Sequence, residues 1–169
     1  MEAAGWGAEA VVASGYKWLG GNGGVALAIM SPRLLEQTPP LLCWMGAADP
    51  FEFDATSLSL ANDARRYTQS TMSYVSMAGL TAAVEQLLGL GEARIEAHAR
   101  SLAAMLVSDA SKYGWQPFRS VGDSAGSSHI TSLERPRENV YAIVERLRSH
   151  NIVFGTRGGR IRISLAPYN

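Results

Sequence analysis

The sequence predicts an α/β chain organised as two lobes, and three observations carry that prediction. Short apolar runs at residues 10–13 and 25–30, the first carrying the β-branched pair Val11 and Val12, are bounded by serine and glycine and read as buried strands. Two stretches of helical period follow one another between Met77 and Tyr113. The remainder, beyond Gly114, runs strand, helix, strand, strand, the order of a compact α+β unit. The expected division is residues 1–90, a connecting helix over 91–113, and a small C-terminal α+β domain over 114–169.

Each element has a local cause. Between the first two strands lie Gly20, Gly21, Asn22, Gly23 and Gly24, which permit a sharp reversal and a close backbone approach. Ser31 and Pro32 read as N-cap and first residue of a short helix that Pro39 and Pro40 stop. From Leu41 to about Tyr74 the pattern is irregular, and a structureless stretch of that length in a compact domain points to a functional or site-covering loop. Leu80, Ala83, Val84, Leu87 and Leu88 recur at helical spacing up to Gly89 and Gly91. Ile95, Ala99, Leu102 and Leu106 share one face of a second helix that Gly114 stops. Beyond it, strands are expected at residues 129–133, 152–154 and 161–165, with Val140, Ile143, Val144 and Leu147 on one face of a helix over 137–149.

Composition narrows the function. Fifteen Lys and Arg balance fifteen Asp and Glu, so no overall basic field exists to hold nucleic acid or an anionic membrane. Only 18% of residues are charged against roughly 25% in ordinary soluble domains, which suggests surface that is buried against other protein. Cys43 is the single cysteine, which excludes an internal disulfide or a multi-cysteine metal centre and suits a reducing cytoplasm. No run approaches the roughly 18 apolar residues of a membrane span.

Lys17 is the candidate for chemistry. It stands in Ser14-Gly15-Tyr16-Lys17-Trp18-Leu19, after a strand and before the glycine turn. At a strand end among aromatics a lysine is expected to be partly desolvated, which disfavours the ammonium form and frees a nucleophilic amine able to condense with an aldehyde. Ser14 and Tyr16 could donate hydroxyl hydrogen bonds to a phosphate, and the nearby glycine amides could add backbone donors. On residue pattern alone a lysine after a strand also fits a solvated loop.

That segment resembles the cofactor-lysine segment of the class V aminotransferase-fold proteins, pyridoxal-phosphate enzymes of fold type I whose relatives include cysteine desulfurases and isopenicillin N epimerase-like proteins. Pro50-Phe51-Glu52-Phe53-Asp54, Asp63-Ala64-Arg65-Arg66-Tyr67, Gly79-Leu80-Thr81-Ala82-Ala83, residues 91–98, residues 157–164 and Tyr168-Asn169 resemble further landmarks of that family in order. The resemblance covers essentially the whole chain. It implies the end of the large cofactor-binding domain followed by the small C-terminal domain, normally in a homodimer acting on an amino-acid substrate. Lys17 would then form the Schiff base with pyridoxal 5'-phosphate and shuttle a proton at the substrate Cα. Ser14 and Tyr16 would contact the phosphate, Tyr16 standing where many relatives have histidine. Thr71 lies where the family has a threonine that reaches the neighbouring subunit's phosphate, although Thr68-Gln69-Ser70-Thr71 departs from the usual aromatic-Gly-Thr. Arg162 would bind the substrate carboxylate, with Arg157 as second candidate. No metal is implied.

The family's ring-pairing aspartate, ring-stacking residue and glycine-led phosphate turn precede the lysine segment and have no counterpart here, so the chain is expected to be the C-terminal part of a longer enzyme and inactive by itself. Desulfurases need a cysteine near residues 156–160, where this sequence has none, which argues against that activity; Cys43 reads as a small apolar side chain. Two alternatives remain. One is a kynureninase-like hydrolase, suggested by Tyr-Lys-aromatic-Leu and the Gly-Gly turn, and the other is a non-catalytic truncated module. Asp63, Arg65 and Arg66 read as a solvated or interface charge cluster, His98 and His150 as surface histidines on helices.

Overall fold

The computed structural model describes residues 3–54, 56–57, 59–123, 126–152 and 154–169. It divides into two compact units, Met1–Leu87 and Leu88–Asn169.

In the first unit β1 (Ala10–Ser14) pairs antiparallel with β2 (Ala26–Met30), in register from Ala10 opposite Met30 to Ser14 opposite Ala26. The two strands form a sheet of their own, so their apolar side chains are less covered than the sequence led one to expect. Val12, Leu27 and Ile29 are exposed. Ser31 caps the short helix α1 (Pro32–Leu35) by accepting from the Leu34 amide at 3.1 Å, with Pro32 at its first turn as expected. Ser31 also donates to the Glu9 carboxylate, which pairs with Arg33 at 3.3 Å.

The segment after α1 is ordered without long elements, which corrects the structureless reading. Two 3-10 turns, Trp44–Gly46 and Ala64–Tyr67, are joined by the Ala47–Leu60 bridge and by the Ala61 amide donating to the Gly46 carbonyl at 3.0 Å. Asp63 caps the second turn through the Arg65 amide at 2.9 Å. Arg65 donates to the Ala48 carbonyl, Arg66 to that of Leu35 and the Tyr67 hydroxyl to that of Leu34. The charge cluster is therefore structural: its guanidinium groups satisfy the Ala48 carbonyl in the loop and the Leu35 carbonyl at the end of α1.

Helix α2 (Tyr74–Leu90) begins at Ser73, whose hydroxyl accepts from the Ser76 amide at 3.3 Å. Ser76, one turn in, donates to the Gly23 carbonyl at 2.8 Å and ties the helix to the glycine loop. Leu80 is buried as its spacing predicts, while Leu88 is exposed. A Cβ built on Gly21 would lie 2.9 Å from Leu80 Cα and 3.1 Å from its Cβ, so the loop lies directly on the helix. Gly21→Ala is accordingly expected to destabilise the protein by about 1–3 kcal/mol, measured as a lowered denaturation midpoint in urea.

In the second unit α3 (Glu92–Ser111) packs against β3 (Gln116–Pro117) and β4 (Ile130–Glu134). The sheet order is β3-β4-β6-β5, all antiparallel, with β5 at Gly155–Arg157 and β6 at Arg160–Ser164. Helix α4 (Val140–Ser149) starts later than expected because Asn139 caps it, accepting from the Tyr141 and Ala142 amides. Val140 and Val144 bury against Ile161, with Trp115, Leu147, Phe154 and Ile163 around them.

The strand expected over residues 152–154 is displaced. Val153 lies outside the described residues, and Ile152 and Phe154 are not in a strand. Gly158 and Gly159, at φ 57° and 71°, form a two-residue hairpin turn that sets Arg157 opposite Arg160, so pairing begins beside the turn. Phe154 serves the core instead.

His129 is half-buried before β4, and burial pushes its pKa below the ordinary 6.5, opposed by Glu96. The fold thus favours neutral His129. Its contribution is full above the unfolded-state value and is lost as pH falls through the lower folded one. Wild type is expected to lose more stability than His129→Gln between about pH 8 and about pH 5, as followed by urea unfolding at each pH.

Candidate active site

β1 ends at Ser14 and the chain turns at residues 15–19, so Tyr16 and Lys17 occupy a tight reversal with a fixed backbone. The Gly15 amide donates to the Val25 carbonyl at 2.9 Å, the Gly20 amide to that of Lys17 at 3.0 Å and the Gly21 amide to that of Gly15 at 2.9 Å. The Gly15, Gly20 and Gly21 amides are therefore occupied, which corrects for these three the expectation of glycine amides available to an anion. A Cβ on Gly15 would lie 2.9 Å from both Val25 Cγ1 and the Val25 carbonyl oxygen and 3.3 Å from Leu80, so the turn is held from two sides.

Lys17 is exposed rather than partly desolvated, because the turn directs Trp18 and Leu19 inward to half-buried positions and leaves Tyr16 and Lys17 outside. Its Nζ lies 5.5 Å from the centroid of the Tyr16 ring, a cation–π geometry. Ser14 is half-buried at the strand end. Among the described residues, none of the Ser14, Tyr16 and Lys17 side chains is engaged in a hydrogen bond or ion pair. The segment therefore presents a primary amine on a rigid turn that also carries two hydroxyl-bearing residues, a set suited to condensing with a carbonyl and contacting an anion.

The other candidates are spread more widely. Thr71 is exposed ahead of α2 and makes no hydrogen bond to Ser14, Tyr16 or Lys17. Arg162 and Arg157 belong to the second unit: Arg162 is half-buried on β6, between Ser132 and Gly155 in register, and Arg157 is exposed at the end of β5. Arg160, two positions before Arg162, pairs with Glu134 at 2.7 Å and lies 3.9 Å from the Phe118 ring centroid. Glu134 and Phe118 are absent from the sequence-level candidates, since only the strand register brings them to β6.

The 3-10 segment carries a cavity of about 290 Å³, lined among others by Cys43, Trp44, Asp49, Phe53 and Asp54. Trp44, Phe51 and Phe53 pack together with ring centroids 5.9 to 6.2 Å apart. The Thr56 hydroxyl and amide, at 2.6 and 2.8 Å, hold the Asp54 carboxyl down to about 2. Half-buried Cys43 lies in this wall.

Among known families, the profile of the aminotransferases of class V matches residues 1–153. The chain belongs to the class-V aminotransferase family. Over 87 residues it is 37% identical to a kynureninase from Deinococcus radiodurans, a match covering 50% of this chain and 21% of that protein. The structure resembles a cysteine desulfurase from Thermococcus onnurineus NA1 with a TM-score of 0.81 at 16% identity, over 99% of this chain and 44% of that one. It also resembles a C-DES mutant with glycine covalently linked to its PLP cofactor, at TM-score 0.69 and 19% identity, over 91% of this chain and 40% of that one. The chain thus spans under half the length of these proteins, and its fold is that of the fold type I enzymes. Among the described residues, no helix is long and apolar enough to cross a membrane, and no cluster of His, Cys, Asp and Glu could hold a metal.

Proposed function

We propose that this class-V aminotransferase chain carries the lysine and carboxylate-binding parts of a pyridoxal-phosphate-dependent enzyme acting on an amino-acid substrate. The observation that supports it most directly is Lys17, exposed on a fixed turn with no ion pair among the described residues and preceded by Ser14 and Tyr16. These residues fit the group chemically: an accessible amine for its aldehyde and two uncommitted hydroxyls for its phosphate. When bound, the cofactor supplies an electron sink for charge developing at the substrate Cα.

Lys17 would hold the cofactor through its amine and would take and return the proton at the substrate Cα. Ser14 and Tyr16 donate to the phosphate. Thr71 serves the phosphate of a partner subunit in a homodimer, which suits its exposure ahead of α2. Arg162 receives the substrate carboxylate through its planar guanidinium, with Arg157 in a secondary role. A cytoplasmic setting is consistent with a single, unpaired cysteine.

The test is chemical capture. The protein is incubated with pyridoxal phosphate, reduced with borohydride and digested, and the label is sought on the peptide containing Lys17. A visible absorption band before reduction and a label on that peptide are expected; neither band nor label in a cooperatively folded protein would favour a non-catalytic module. The kynureninase match favours a second reading, a kynureninase-like hydrolase, which turnover of kynurenine would separate from transamination, epimerisation or elimination.

A further inference from the structure

β6 alternates Arg160 and Arg162 on one face with Ile161 and Ile163 on the other, and the isoleucines belong to the core formed with α4. The register brings Ser132 opposite Arg162, and the next pair on that face, Glu134 and Arg160, meets side chain to side chain. Glu134 is the one acid among the residues of these four strands, and it faces two arginines of β6 and a third, Arg157, in register with Arg160 on β5. The competition is resolved in favour of Arg160. Its Nε donates to Glu134 at 2.7 Å, its guanidinium stacks over Phe118 and its Nη1 reaches the Gly158 carbonyl at 3.4 Å. Arg162 is left half-buried with no carboxylate among the described residues, between a serine and a glycine too small to cover it.

We propose that Glu134 and Phe118 are positioning residues that sequester Arg160, so that Arg162 presents the available guanidinium of β6 and Arg160 does not serve as a carboxylate anchor on this face. The substrate class this disfavours is an amino acid whose second carboxylate would have to bind at Arg160. The inference rests on the assignment of Arg162 to the substrate carboxylate. Neutralising Glu134 leaves Arg160 without its counter-charge two positions along the same face, where it becomes a second anchor for a dicarboxylate.

Propionate and succinate serve as probes, titrated into the cofactor-loaded protein while the arginine Nε–H resonances are followed by NMR. In Glu134→Gln, the ratio of succinate to propionate affinity is expected to rise roughly tenfold. It returns to the wild-type value in Glu134→Gln/Arg160→Gln and stays there in Glu134→Asp. Phe118→Leu, which keeps the ion pair and removes the ring, moves the ratio in the same direction by less and stands in should Glu134→Gln not fold. An unchanged ratio in the folded variant, with Arg162 still responding to both probes, overturns the positioning role alone. No response of Arg162 to either probe in wild type overturns its carboxylate assignment and the proposal with it.

Discussion

Lys17→Ala is expected to abolish covalent retention of pyridoxal phosphate, with loss of the visible band and of the borohydride-trapped label. Any turnover should fall by about 10² to 10⁴, the scale of a missing covalent and acid–base group. Folding should be nearly unaffected: Lys17 is exposed and without an ion pair among the described residues, and surface substitutions of that kind stay within about 0.5 kcal/mol. The two outcomes together separate chemistry from stability. Lys17→Arg sharpens the test, since a guanidinium keeps the charge and can stack on Tyr16 but stays protonated and does not condense with an aldehyde. A band retained in either variant would place the covalent attachment elsewhere.

The second large effect is expected at Arg162. Replacement by glutamine removes a charge-assisted, potentially bidentate contact, and the KM of an amino-acid substrate should rise roughly 10- to 100-fold. Arg162→Lys should recover part of the loss, because an ammonium supplies charge without the planar fork. The variants should unfold no more readily than wild type, since the Arg162 side chain makes no ion pair or hydrogen bond among the described residues. Steady-state kinetics across several substrate concentrations gives the answer: an unchanged KM in both variants excludes Arg162 from carboxylate binding.

How much of this was legible in the sequence depended on how local the cause was. Ser31 and Pro32 announced α1, because a cap is decided within four residues. The apolar faces of α3 and α4 were equally readable, since periodicity alone places Ala99, Val140 and Val144 inside. The lysine turn was found by its pattern, but its exposure was not, because burial depends on which way neighbouring side chains point. Occupation of the Gly15, Gly20 and Gly21 amides was hidden for a related reason, each being decided by how the loop closes on itself and on β2. Glu134 and Phe118 lay beyond reach altogether: 26 residues separate Glu134 from Arg160, and only the β4–β6 register joins them.

The close approach of the glycine loop to α2 sets different rules for how these positions can drift in descendants of this sequence. At Gly21 the obstructing atom includes Leu80 Cα, which every residue at position 80 possesses. No exchange there can make room, so glycine at 21 should persist wherever the helix lies this near. Gly79 differs, because the atoms nearest to a Cβ there belong to the side chain of Asn22, its Oδ1 at 2.6 Å. Positions 22 and 79 are therefore free to trade volume as a pair, a larger residue on the helix accompanying a smaller one in the loop. An alignment of relatives should show an invariant column at the first site and correlated substitution at the second.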